Sequence, residues 1–173
     1  MLFRSAVCVV PQEGYLFAGT LRDNIAIGRV GASDADVDAA VAALGLTTRF
    51  ATFPEGLDTE VHEGGARLSA GERQLVSLTR AALADPRVLV LDEATSNLDP
   101  GTEHAVEAAL EALMGGRTVV VVAHRLSTAA RADRVAVIDA GGLAEVGTHA
   151  ELVSMGGRYA ALYAAWQTHH LAE

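Results

Sequence analysis

The sequence predicts a three-layer α/β sandwich on a mostly parallel sheet, and three observations carry that reading. Short apolar runs rich in β-branched residues recur at Ala6 to Val10, Val88 to Leu91, Thr118 to Ala123 and Val135 to Ile138. Several are unbroken by polar residues, the pattern of strands buried on both faces of a parallel sheet. Stretches with helical spacing lie between them, and strands alternating with helices build layered α/β domains. A length of 173 residues suits one domain, which can bury about 70% of its unfolded surface.

The elements follow in chain order. Ser33 caps a helix through Val37, Val41 and Leu44 that stops at Gly45. Leu68 to Gln74 opens a long helical run, Leu75 to Ala84, which ends at Asp85-Pro86. Thr102 to Leu113 repeats the helical pattern with Val106, Leu110 and Leu113 before Gly115-Gly116. Asp139-Ala140-Gly141-Gly142, followed by Leu143 to Val146, reads as a hairpin, so the end of the sheet is expected to carry an antiparallel strand. Gly157 to Leu171 reads as a terminal helix with Tyr159, Leu162, Tyr163 and Trp166 at helical spacing, a stripe suited to core or interface packing.

Composition excludes several functions. All 13 basic residues are arginine, against 22 acidic ones, for a net charge of -9. With no lysine there is no Schiff-base chemistry and no phosphate-binding loop of the G-x-x-x-x-G-K-[ST] type. The acidic balance speaks against non-specific nucleic-acid binding and a polybasic membrane patch. No apolar run approaches the roughly 18 residues of a membrane helix, and Met1 to Val10 lacks a signal-peptide cleavage pattern. Cys8 is the single cysteine, so no internal disulfide framework forms; a reducing compartment and a small buried hydrophobe are the expectations.

Four stretches carry chemistry. Arg87 to Glu93 is an apolar strand ending in adjacent carboxylates, Asp92 and Glu93. Ligands of open α/β sheets gather outside the carboxyl ends of strands, where one acid can orient a metal and its neighbour polarise water. An ordinary strand running into an acidic loop fits the same residues. Ser69-Ala70-Gly71 at a helix start leaves backbone N–H groups at the positive end of the dipole, which makes either an anion seat or a plain capped helix. His124 follows the Thr118 to Ala123 strand, and Gln12 follows the first. Both positions fall at strand carboxyl ends, although structural roles suit both.

In chain order these stretches resemble the Q-loop (Gln12), the signature motif (Leu68 to Gln74), the Walker B strand with its catalytic glutamate (Val88 to Glu93), the D-loop (Ser96 to Asp99) and the switch histidine (His124) of ATP-binding-cassette nucleotide-binding domains. The resemblance covers nearly the whole chain. Tyr15 to Ile25 and Asp58 to Gly64 further resemble the segments of exporter-type members that face the coupling helices of the membrane domains. The resemblance implies a P-loop NTPase-like fold, with residues 1–173 a partial domain, incomplete at its N-terminus, and a helical subdomain at about residues 13–85. It implies ATP and Mg2+ as cofactors, a second nucleotide-binding domain and exporter transmembrane domains as partners, no nucleic acid, and a place at the cytoplasmic face of the membrane.

Carried over by position, the resemblance gives Asp92 and Gln12 to the magnesium, with Gln12 also reaching the γ-phosphate, and makes Glu93 the general base. It gives His124 to the γ-phosphate, and Ser69, Ala70 and Gly71 to the nucleotide of the opposite subunit in a head-to-tail dimer. It sets Asp99 at the dimer interface. Ala70 and Glu72 stand where the family commonly has glycine and glutamine, and His62 where glycine is usual. Ala70 brings a methyl group to the phosphate's approach and Glu72 a negative charge.

Only 11 residues precede Gln12, whereas the family sets its Walker A loop and adenine-stacking aromatic upstream of the Q-loop. The expectation is therefore an ATPase-domain fragment that neither binds ATP tightly nor hydrolyses it alone. A module that donates its signature helix to an intact partner, or a regulatory dimerisation piece, is the alternative. The same lack is expected to leave the strand before His124 short of a neighbour and the isolated fragment unstable.

Overall fold

The computed structural model describes residues 6–12, 14–92, 100–123 and 126–170. The chain divides into two compact units, residues 1–122 and 123–173.

In the first unit, three strands form a parallel sheet: β1 (Val7–Val10), β4 (Val88–Asp92) and β5 (Thr118–Val122), in the order β1-β4-β5. Val10 pairs with Leu91, Leu91 with Val121 and Asp92 with Val122. All three strands therefore point their carboxyl ends to one edge. Parallel neighbours need a crossover, and the 15-residue helix α5 (Pro100–Met114) supplies the one between β4 and β5.

Residues 14–84 carry four helices, α1 (Leu21–Ala26), α2 (Asp34–Ala43), α3 (Thr47–Phe50) and α4 (Ala70–Ala84). A short antiparallel ladder, β2 (Gly19–Thr20) with β3 (Glu60–Val61), joins them. The core is continuous from these helices to the sheet, through Leu21, Ile25, Leu75, Leu78, Leu89, Leu91, Val106 and Leu113. Val37, Val41 and Leu44 are buried, as their spacing predicts.

Local chemistry sets the helix limits. Thr20, Ser33 and Ser69 each close a capping box with an acidic residue three positions on: Asp23, Asp36 and Glu72. The Ser33 hydroxyl and backbone, with Arg29 beside them, hold the Asp36 carboxyl at about 2. Helix α4 ends on Asp85, whose left-handed backbone (φ 46°) is pinned by an ion pair to Arg117 (2.8 Å). Arg117 also donates to the carbonyls of Leu113 (2.5 Å) and Pro86 (3.1 Å), and so fixes the entry to β5.

Burial departs from the pattern at β5. Val120, Val121 and Val122 are 51%, 40% and 47% exposed, and β4 is the one strand paired with β5 among the described residues. An apolar run becomes buried only where other elements cover it.

In the second unit, Val135–Asp139 (β6) does not join a parallel sheet, as its apolar run suggests. It pairs antiparallel with β7 (Gly142–Gly147) in a ladder of its own. The turn explains this: Ala140 and Gly141 both take positive φ, the geometry that folds a strand straight back on itself. Helix α6 (Leu126–Ala130) precedes this ladder in the chain, and two helices follow it, α7 (His149–Met155) and α8 (Arg158–His170). Glu145 of β7 accepts from the Arg158 and Tyr159 N–H groups and caps α8. Tyr159 is buried, with its hydroxyl 2.8 Å from His149 Nδ1, while Tyr163 stacks on Trp166 and Leu162 is exposed.

Candidate nucleotide site

Two groups of candidate residues are described. The first lies at the carboxyl edge of the parallel sheet. Gln12 follows β1 by two residues and Asp92 closes the neighbouring β4, so the register brings both to one edge, and both are exposed. Glu93, Asp99 and His124 lie outside the described residues.

The second group is the amino end of α4. The Ser69 hydroxyl accepts from the Glu72 N–H (3.2 Å), and the Glu72 carboxylate accepts in return from the Ser69 N–H (2.9 Å). This box satisfies two of the backbone donors at the helix start. Ala70 and Gly71, in the first turn between them, have no intrahelical acceptor for their N–H groups, as helix geometry requires. The helix dipole adds partial positive charge at the same point. Fifteen residues of α4 stand behind it, anchored by buried Leu75, Val76 and Leu78.

The substitutions within this motif acquire physical reasons. Ala70 is exposed, so its methyl meets solvent. Gly71 is buried against α5, and a Cβ there would lie 2.5 Å from Thr102 Cγ2 and 2.7 Å from Thr102 Cβ. Of the two positions, only Ala70 has room for a side chain. Gly71→Ala is accordingly expected to separate α4 from α5 and cost about 1–3 kcal/mol, the usual range for overpacking, with a lower thermal midpoint by circular dichroism. Ala70→Gly should shift that midpoint far less.

Glu72 does not stand as a lone negative charge. Its Oε1 is 3.1 Å from an Nη of Arg49, on α3. The same Arg49 nitrogen lies 3.5 Å from the Thr102 hydroxyl. Arg49 and Thr102 are contributors that no motif marks, because their partners are distant in sequence.

A further network fixes α4 from its other side. Arg80 donates to the Asn24 carbonyl (2.5 Å), the Asn24 Oδ1 (2.7 Å) and the Tyr15 carbonyl (2.6 Å). Burial pulls the Arg80 guanidinium below its ordinary pKa. Gly28 makes this approach possible, since a Cβ there would fall 2.4 Å from the Arg80 carbonyl oxygen. The segment so held presents Tyr15 and Phe17, both about half exposed, edge to face with ring centroids 5.1 Å apart. The Tyr15 hydroxyl donates to Glu63 Oε1 (2.9 Å).

Among the described residues, no helix is long and apolar enough to cross a membrane. No three His, Cys, Asp or Glu side chains among them group as a ready-made metal cage.

Comparison with known proteins extends this picture. The model of the ABC transporter family matches residues 1–96. The uncharacterized ABC transporter ATP-binding protein YwjA of Bacillus subtilis is 46% identical over 162 residues, covering 94% of this chain and 28% of that protein. ATP-binding cassette sub-family B member 6 of Homo sapiens is 46% identical over 160 residues, 92% of this chain and 19% of the relative. The chain thus spans 19% to 28% of the length of these relatives. The solved structure of a bacterial Atm1-family ABC exporter with ATP bound superposes with a TM-score of 0.82 at 44% identity, over 94% of this chain and 28% of that one. A parallel sheet with its crossover helix, a long helix capped at Ser69, and these matches together place the chain in the ABC transporter family.

Proposed function

We propose that this chain is part of the ATP-binding domain of an exporter-type ABC transporter. In that role, ATP hydrolysis at the cytoplasmic face of the membrane drives transport through membrane-spanning domains. The observation that supports it most is the start of α4. Its capping box leaves the Ala70 and Gly71 amides directed out of the helix end, beside the Ser69 hydroxyl. Donors arranged in this way suit a phosphate. In a head-to-tail pair of domains, the phosphate is the γ-phosphate of a nucleotide held by the opposing subunit.

The sheet edge takes the other half of the chemistry. Asp92 and Gln12 offer a carboxylate and an amide oxygen from adjacent strands, donors suited to a hard cation such as Mg2+. Magnesium bound there supplies neutralisation of the charge that develops in phosphoryl transfer. Asp92 and Gln12 hold and orient it, Glu93 takes the proton of the attacking water, His124 contacts the γ-phosphate and Asp99 lies at the interface between domains. Tyr15 and Phe17, held by Arg80, suit contact with the membrane domains through their exposed rings.

These 173 residues hold no lysine and therefore no G-x-x-x-x-G-K-[ST] loop to cradle the β- and γ-phosphates. The chain by itself is accordingly inactive, and its signature helix acts on nucleotide held by another domain. The test co-expresses the chain with an intact exporter nucleotide-binding domain whose own signature serine is replaced by arginine. Hydrolysis is then confined to the site formed by that domain's P-loop and this chain's α4. Activity in the mixture, with none from either component alone, supports the reading. A mixture as inactive as its parts, or micromolar ATP binding by the chain alone, overturns it.

A further inference from the structure

Glu72 poses an electrostatic problem for an anion seat. Its carboxylate is held 2.9 Å from the Ser69 N–H, within the same helix turn as the Ala70 and Gly71 donors. A full negative charge there opposes both the dipole's attraction and an approaching phosphate. Arginines beside this turn include Arg73 and Arg49. Arg73 is engaged elsewhere, donating to the Leu68 carbonyl (2.7 Å). Arg49 meets the Glu72 carboxylate directly at 3.1 Å, with Arg49 and Glu72 side chains 32% and 20% exposed.

The way Arg49 is held argues against a purely structural clip. Its Nε is buried with no hydrogen-bond partner among the described residues, and its Nη2 reaches Thr102 only at 3.5 Å. A guanidinium that leaves a buried donor unpaired is a costly way to pin a four-residue helix. It is an effective way to keep a permanent positive charge beside Glu72.

We propose that Arg49 is a positioning residue for the signature helix. It holds Glu72 in the capping box and offsets its charge, so the end of α4 stays attractive to the nucleotide phosphate of an opposing domain. This inference rests on the proposed function, and it adds a residue outside every recognised motif. It also requires that the effect of Arg49 depend on the charge at position 72.

The experiment uses the mixed complex described above and reads the apparent KM for ATP, kcat and the thermal midpoint. Arg49→Gln is expected to raise the KM about 5- to 10-fold with kcat changed less than about twofold, the scale of one uncompensated charge at a helix end. Arg49→Gln combined with Glu72→Gln is expected to return the KM to within about twofold of the wild type, because the charge to be offset is gone. Arg49→Lys keeps the charge on a different frame and is expected to stay within about threefold. An unchanged KM in Arg49→Gln overturns the proposal, as does an equal rise in the double variant. If Arg49→Gln fails to fold, Arg49→Lys decides: a KM raised about 5-fold or more contradicts charge compensation, and a retained KM supports it. A wild-type complex without activity would instead count against the proposed function, so the two failures are distinguishable.

Discussion

Asn24→Leu is expected to destabilise the first unit by about 3–5 kcal/mol, the scale reached when a buried charged group loses its partner. Asn24 is 1% exposed and makes four side-chain hydrogen bonds. Its amide nitrogen donates to the Phe17 and Thr20 carbonyls, and its Oδ1 accepts from the Phe17 N–H and from Arg80. Leucine matches the volume but removes every one of these, leaving three backbone groups and part of a guanidinium unpaired. The penalty follows from desolvation without compensation, which exceeds the net worth of the bonds themselves. Urea unfolding followed by far-ultraviolet circular dichroism measures it, and a loss below about 1 kcal/mol would contradict the network. Arg80→Ala should cost less, because it removes the charge together with its contacts.

Ser69→Arg is expected to reduce hydrolysis by the mixed complex about 100- to 1000-fold, the range seen when a preorganised donor to developing negative charge is lost. The substitution removes the hydroxyl and fills the space in front of the Ala70 and Gly71 amides. It also removes the N-cap, whose loss costs about 1 kcal/mol. That cost is small against the anchoring of α4 by Leu75, Val76 and Leu78. The thermal midpoint should therefore fall modestly while the rate collapses. Ser69→Thr, which keeps an N-cap hydroxyl, should retain most of the rate. Steady-state ATPase measurement distinguishes these outcomes, and a rate for Ser69→Arg within about threefold of the wild type would contradict a role for this helix end.

What the sequence made legible was local. The start of α4 could be read because Ser69, Ala70, Gly71 and Glu72 are consecutive and a helix cap depends on neighbours within one turn. The Asp139 to Gly142 hairpin could be read for the same reason, since turn geometry depends on the residues of the turn. Its consequence for β6 was less visible: an apolar run shows strand character, and the partner chosen depends on the turn that follows. The exposure of Val120 to Val122 is not visible in the apolar run itself, because burial is a property of what covers a strand; it follows only from the neighbour that the resemblance says this strand lacks.

The supports of the candidate site were not legible at all. Arg49 meets Glu72 across 23 positions and Arg80 meets Asn24 across 56. Neither arginine sits in a pattern that distinguishes it from the surface arginines around it. The resemblance gives Gly71 to the nucleotide of an opposing subunit, and the fold adds an independent requirement, since Thr102 occupies the space a side chain would take. The negative charge that Glu72 adds is met by Arg49, a partner the motif does not reveal.

The central claim is that the end of α4 completes a nucleotide site on another domain. Sedimentation velocity tests it most directly, using the chain mixed with an intact exporter nucleotide-binding domain whose catalytic glutamate is replaced by glutamine to trap bound ATP. The result expected is a mixed dimer with ATP and Mg2+, absent with ADP and absent with Ser69→Arg. A mixed dimer that forms equally without nucleotide, or no mixed dimer under any of these conditions, would contradict the account.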